Sequence, residues 1–226
     1  MNIKLKMMKK LLLITLILLL ASCSTTQLVD TWRNPDITEF SSSKILIVGM
    51  TSDTKARKRF EKQLKDEYLS RGINADMSLD VFEKSITSEE KTKEELMALE
   101  KKLIDDGFDS VLFSKVIGID DAIAYNSTYR DTDYSYRNFR DDYYTNQDIY
   151  YNPEYYIKYK IYHAETSLYC LCSGKDRELI WKGYIDIVDP ESTKKTVEDY
   201  VHLVMYALEQ EELLNSKEEQ EKDVAL

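Results

Sequence analysis

Histidine, cysteine, glycine and proline are all scarce in this sequence, and each shortage excludes a class of function. With 6 Gly and 3 Pro in 226 residues, the chain is neither collagen-like nor a Pro/Gly-rich disordered polymer. It has no Gly-rich loop of the kind that cradles a phosphate. The two His, His163 and His202, supply little for a nucleophile–base pair. No G-x-S-x-G elbow and no H-E-x-x-H occurs. Three Cys are too few for a disulfide-built secreted domain. Basic residues are outnumbered 31 to 41, giving a net charge of −10, which argues against nucleic-acid binding. No catalytic residue, cofactor or metal is therefore expected. A hydrolase without a recognisable motif stays as the enzymatic alternative.

Long apolar runs are also missing, with one exception at the start. Lys4, Lys6, Lys9 and Lys10 precede the unbroken run Leu11–Leu20. Ten helical residues reach about 15 Å, half of a hydrocarbon core, so this is a secretory signal and not a membrane span. Leu20-Ala21-Ser22-Cys23 resembles the lipobox of bacterial lipoproteins. The resemblance implies cleavage before Cys23 and acylation of its sulfur and new N-terminus. Removing residues 1–22, with four Lys and no acid, takes the charge from −10 to −14. The membrane partner is then held through acyl chains on Cys23 and not by attraction to anionic lipid. Ser24 follows Cys23 without an early acidic residue, which by analogy favours the periplasmic face of the outer membrane.

The rest divides into a lipidated tether and lead-in (23–43), one α/β domain (44–212) with a Tyr-rich insertion at about 124–155, and a charged tail (213–226). The lead-in holds at most an edge strand at Val29–Arg33. Lys44–Met50 (KILIVGM) reads as a strand buried on both faces. Thr51, Ser52 and Asp53 offer N-caps for a helix whose buried face is Ala56, Phe60, Leu64 and Tyr68, closed by Gly72. Ile73–Met77 is a short strand. A second helix starts near Thr87, whose spacing to Glu90 fits a capping box, buries Leu96, Leu99 and Leu103, and ends at Gly107. Asp109–Ile119 follows as a third strand. The order β-α-β-α-β predicts helices packed on a sheet with a parallel portion. Tyr156–Leu171 and Glu178–Val188 form a long hairpin through a turn at Ser173–Asp176. Asp189-Pro190 signals a final helix with the stripe Val197, Val201, Val204 and Leu208. The fold class is thus α/β: a β-α-β-α-β core on a mixed sheet, completed by a long C-terminal hairpin and a helix.

Two patterns are candidates for binding. Lys55, Arg57, Lys58 and Arg59 crowd a helix start, where cations oppose the macrodipole. With free backbone N–H groups they could receive an anion, or they could form a solvated face paired with Glu61, Asp66 or their neighbours. Second, eleven of the 17 Tyr lie between Tyr125 and Tyr159. Tyr129, Tyr134, Tyr136, Tyr143, Tyr144, Tyr150 and Tyr151 offer flat apolar faces with polar tips, suited to a protein partner or to sugar rings such as those of peptidoglycan. They could equally pack back on the sheet edge. Cys170 and Cys172, two apart on one strand, are about 6.6 Å from each other, the outer edge of disulfide reach. They are expected as small apolar residues. With His163 they make a poor metal set.

The lipobox, the Trp32-x-x-Pro35 lead-in, the Ile45–Gly49 strand, the Arg57–Phe60 helix start, the Arg71-Gly72-Ile73 turn and the closing Leu179-Ile180-Trp181 hairpin together resemble a group of small diderm lipoproteins of unknown function. The element order is also similar to envelope domains: the N-terminal domain of the Tol-system propeller protein, the curli secretion-channel lipoprotein, and lipoprotein activators of penicillin-binding proteins. Cys170 and Cys172 depart from the pattern. The resemblance implies a non-enzymatic adaptor that docks on an envelope protein or on peptidoglycan. The alternative is an oligomeric accessory subunit of a secretion or lipid-transport machine.

Overall fold

Strands form where aliphatic and β-branched runs meet a partner, and here six of them meet in one sheet. A computed structural model describes residues 25–82, 90–125, 156–171, 178–190 and 192–215. The elements are β1 (Thr26–Arg33), β2 (Lys44–Met50), α1 (Thr54–Ser70), β3 (Asn74–Met77), α2 (Ser78–Val81), α3 (Lys93–Asp105), β4 (Ser110–Tyr125), β5 (Tyr156–Cys170), β6 (Leu179–Val188) and α4 (Thr193–Gln210). The sheet order is β1-β6-β5-β4-β2-β3. β3, β2 and β4 run parallel, while β5, β6 and β1 add antiparallel ladders. This is the mixed α/β architecture expected.

α1 and α4 cover one face. Phe60, Leu64 and Tyr68 of α1 and Val197, Val201, Val204 and Leu208 of α4 meet Ile45, Ile47, Leu112, Leu168, Trp181 and Ile185 in the main core. Each fully buried Leu or Ile there contributes about 2 kcal/mol. α3 covers the other face at the β2–β4 end, where Leu103 and Phe108 pack on Leu46 and Val48. Behind β5 and β6 that second face carries Lys115, Glu165, Lys182 and His163, as suits an antiparallel sheet open to water on one side. Among the described residues no helix is long and apolar enough to cross a membrane.

Several boundaries differ from the sequence reading, each for a local reason. β1 begins at Thr26 and has a bulge between Leu28 and Asp30. α3 starts at Lys93, with the reciprocal capping box between Thr92 and Glu95; Thr87 lies outside the described residues. A helix begun at Thr87 has only charged and polar residues in its first turns, whereas Thr92 leads directly to Leu96 and Leu99. Leu96 itself stays 46% exposed. α4 is capped by Ser192, not Asp189. The Asp189 N–H still donates to the Lys160 carbonyl at 2.9 Å, so the chain belongs to the sheet at that point, and it turns there with a φ of 44°. β4 runs six residues beyond Ile119. Past α4, Leu213 is buried and its N–H donates to Leu208. Arg33 secures the same corner by donating to the Glu211 carbonyl at 2.6 Å.

Cys170 requires a correction: it is disulfide-bonded. β5 ends at Cys170, so the strand spacing that disfavours a bridge does not apply to the chain beyond it. Its partner and the turn expected at Ser173–Asp176 lie outside the described residues.

Candidate functional site

The four cations expected to crowd the start of α1 are parted by the fold. Asp53 caps the helix, its Oδ1 accepting from the N–H groups of Lys55 at 2.9 Å and Ala56 at 3.0 Å. The helix start therefore already holds an anion. Arg57 turns inward and is buried. Its Nε donates to Glu61 Oε1 at 2.8 Å, and a guanidinium nitrogen donates to Ser78 Oγ at 2.7 Å. Glu61 also accepts from Gly49 N–H at 3.0 Å, Ser78 Oγ at 2.7 Å and Leu79 N–H at 3.1 Å. One buried ion pair thus joins α1 to the end of β2 and to α2. Gly49 permits this closeness, since a Cβ there would stand 3.1 Å from the Phe60 ring. Lys55, Lys58 and Arg59 remain exposed.

Above that bolt, at the carboxyl end of β2 and between the first turns of α1 and α4, lies a cavity of about 300 Å³. The open carboxyl edge of parallel strands is where α/β sheets leave room for ligands. Its walls are Ala56, Phe60, Val116, Ala164, Ile187 and Val197, with Thr193 and Thr196 at the first turn of α4. The floor is a chain of hydroxyls: Ser114 Oγ lies 2.6 Å from Thr166 Oγ1, which lies 2.8 Å from Tyr200 OH. Burial pushes the Tyr200 phenol up to about 12, with its hydrogen bonds to Thr166 and Ser114 pulling the other way. It stays protonated at neutral pH and serves as a hydrogen-bonding group. The Phe60 ring meets the Tyr200 ring edge-on at 5.8 Å.

From the same end a ribbon leaves the sheet. β4 pairs with β2 only as far as Lys115, and β6 pairs with β5 only as far as Ile161. The five pairs from Asp121–Lys160 to Tyr125–Tyr156 are two-stranded, a projection of about 17 Å at 3.4 Å per residue. Val116, Ile117, Ile119 and Ile123 on β4 are 45–55% exposed. Residues 126–155 connect the ribbon's two strands, and Tyr129, Tyr134, Tyr136, Tyr143, Tyr144, Tyr150 and Tyr151 therefore lie outside the described residues. The sequence places Val116, Ile117 and Ile119 in a strand but does not show that they and Ile123 stand exposed. Their i, i+2 spacing at 117, 119 and 123 was the available signal.

On the opposite face His163 Nδ1 lies 2.6 Å from Asp186 and Nε2 lies 3.3 Å from Asp120. The hydrogen bond to Asp186, then that to Asp120, raises the imidazole above its ordinary range. Burial pushes Glu165 up, but the hydrogen bonds from Lys115 and Ser167 and the charge of Lys182 outweigh it and hold the carboxyl low. Among the described residues no group of three or more His, Cys, Asp and Glu side chains converges as a metal site. His202 is exposed on α4.

No family model matches the chain, and no curated protein does. Among solved structures the fold is similar to the PelC dodecamer from Paraburkholderia phytofirmans, at 9% identity over 85% of this chain and 99% of that one, with a TM-score of 0.41. It is also similar to lipoprotein GNA1162 from Neisseria meningitidis, at 15% identity over 74% of this chain and 99% of that one, with a TM-score of 0.39.

Proposed function

We propose that this protein is a lipid-anchored binding module of the bacterial envelope, held at the periplasmic face of the outer membrane through Cys23. It engages its partner with the β4–β5 ribbon and the Tyr-rich segment that the ribbon carries. The observation that supports this most is the ribbon itself. A two-stranded ribbon contributes little to its own stability, yet this one places Ile123 in solvent, and Ile117 and Ile119 lie exposed on β4 at its base. Exposed apolar side chains grouped in this way mark an interaction surface. Lys158 and Lys160 on the paired strand, beside the isoleucines, give the surface polar handles of the kind that rim protein interfaces. The lipobox at Leu20–Cys23 supports the anchoring.

The test is in-cell photo-crosslinking with the benzophenone amino acid placed at Ile119 or Ile123, and at exposed Leu69 of α1 as control. The expected result is discrete adducts from the two ribbon positions, absent from Leu69 and lost on deletion of residues 126–152. An adduct of twice the chain mass identifies a second copy and favours the oligomeric accessory reading. Ribbon probes that give no adducts, or the same ones as Leu69, overturn the proposal.

A further inference from the structure

The cavity at the carboxyl end of β2 has a mostly apolar surface, and among the described residues the two charged groups on its border are both engaged elsewhere. Lys115 turns its ammonium to Glu165 at 2.8 Å on the far face of the sheet. Asp53 is occupied by the α1 N–H groups. The hydroxyls of the floor bond one another. Among the described residues no free charge lines the space, so a polar or ionic ligand would lose its hydration there with little compensation. A saturated chain loses nothing. Thr193 and Thr196 add two hydroxyls at the mouth, enough to meet an ester or amide carbonyl. The volume of about 300 Å³ is at the small end of ligand pockets and suits one chain, not a whole lipid.

The tether leaves from the same place. Thr26 pairs with Ile187, and the Thr25 carbonyl accepts the Val188 N–H at 2.7 Å. Ile187 and Pro190 both line the cavity. Cys23 is two residues before Thr25, within about 7 Å of extended chain. An acyl chain spans half of a hydrocarbon core, about 15 Å, which is ample to reach from that sulfur into the space between α1 and α4.

We infer that this cavity is a binding site for a single long-chain acyl group, supplied by the lipid on Cys23 or by a neighbouring membrane phospholipid. The first source rests on the reading that Cys23 is acylated. Where the chain is the protein's own, seating it leaves fewer in the bilayer, and because stable anchoring takes more than one chain, occupancy of the cavity then sets how firmly the protein is held.

Cells expressing the full chain are fed a palmitate analogue carrying a diazirine and an alkyne, irradiated, and the purified protein is mapped by mass spectrometry. The expected result is label on Met50, Phe60 and Val197. A covalent link between those residues and the Cys23 peptide identifies the protein's own lipid as the source, and a phospholipid adduct identifies the membrane. Ala56→Phe and Ala164→Phe fill the space from different walls and should each lose the cavity adducts. Circular dichroism checks folding, and Ala56, half-buried in the first turn of α1, tolerates the change if Ala164 does not. An unlipidated Cys23 peptide alongside cavity adducts refutes the anchoring while the site stands. Cavity residues without label, or label that survives in both filled variants when these are folded, overturn the inference.

Discussion

Glu61 lies one turn beyond Arg57 on α1 and accepts its Nε–H at 2.8 Å, with both side chains closed off from water. The carboxylate also receives Gly49 N–H, Ser78 Oγ–H and Leu79 N–H, so it joins three elements at the point where the cavity begins. A buried pair of this kind contributes less by its attraction than it costs when half of it is removed. Glu61→Ala is therefore expected to destabilise the fold by about 3–5 kcal/mol, through the broken ion pair with Arg57 and the orphaned backbone N–H groups of Gly49 and Leu79. The double variant Arg57→Met/Glu61→Leu should lose less than the sum of the two single changes. Denaturant midpoints of the four proteins measure the coupling, and strict additivity would show that the pair is not a unit.

The six-membered ring of Trp181 occupies the space beside Gly183 on β6. A Cβ built at Gly183 would stand 2.4 Å from the ring carbon Cη2 and 2.7 Å from Cζ2. The indole is fully enclosed in the main core and has no room to withdraw. Gly183→Ala should cost about 1–3 kcal/mol by overpacking, lowering Tm by several degrees for a domain of this size. It should also alter the Trp181 fluorescence. Gly118→Ala, whose Cβ would meet nothing nearer than the His163 ring at 3.5 Å, provides the contrast and should change Tm far less.

His163 bonds Asp186 and, more weakly, Asp120, and both raise its pKa above 6.5. A group whose pKa is raised by folding stabilises the native state while protonated. That contribution is fully present below about 6.5 and is lost as pH rises through the folded value. Stability should therefore decline with pH just above 6.5, and His163→Gln should flatten that part of the profile and lower stability on its acid side, where the contribution is fully present. Imidazole NMR titration together with denaturation at several pH values measures both. A His163 that titrates at or below 6.5 would refute the assignment.

How much of this was legible beforehand depends on whether the cause was local. The runs Lys44–Met50, Tyr156–Cys170 and Leu179–Val188 and the stripe from Val197 to Leu208 declare themselves by periodicity, because burial dictates period. The C-terminal glycines of α1 and α3, Gly72 and Gly107, have φ values of 75° and 84°, as their position after a helix predicts. What could not be read is what depends on distant partners. Arg57 looks like its neighbours Lys55, Lys58 and Arg59 until Glu61, Gly49 and Ser78 enclose it. Thr87 and Thr92 carry equivalent capping patterns; the helix begins after Thr92 and buries only Leu103 of its three leucines. The cavity is made by side chains from α1, β4, β5, β6 and α4, and no window of sequence contains it.

Cys170 links structure to compartment. It sits in the main core at 4% exposure, at the last residue of β5 and beside β4, and it is disulfide-bonded. Structural disulfides persist where thiols are oxidised, as in the bacterial periplasm, and are reduced in the cytosol. Protein trapped from cells with acid and alkylated while unfolded should show Cys170 unlabelled before reduction and labelled after it. Reduction of the purified protein should lower its Tm, because the cross-link restricts the unfolded chain and the lost restriction favours that state. If Cys170 is alkylated without reductant in freshly trapped cells, the chain folds in a reducing compartment, and the envelope assignment of the whole molecule fails with it.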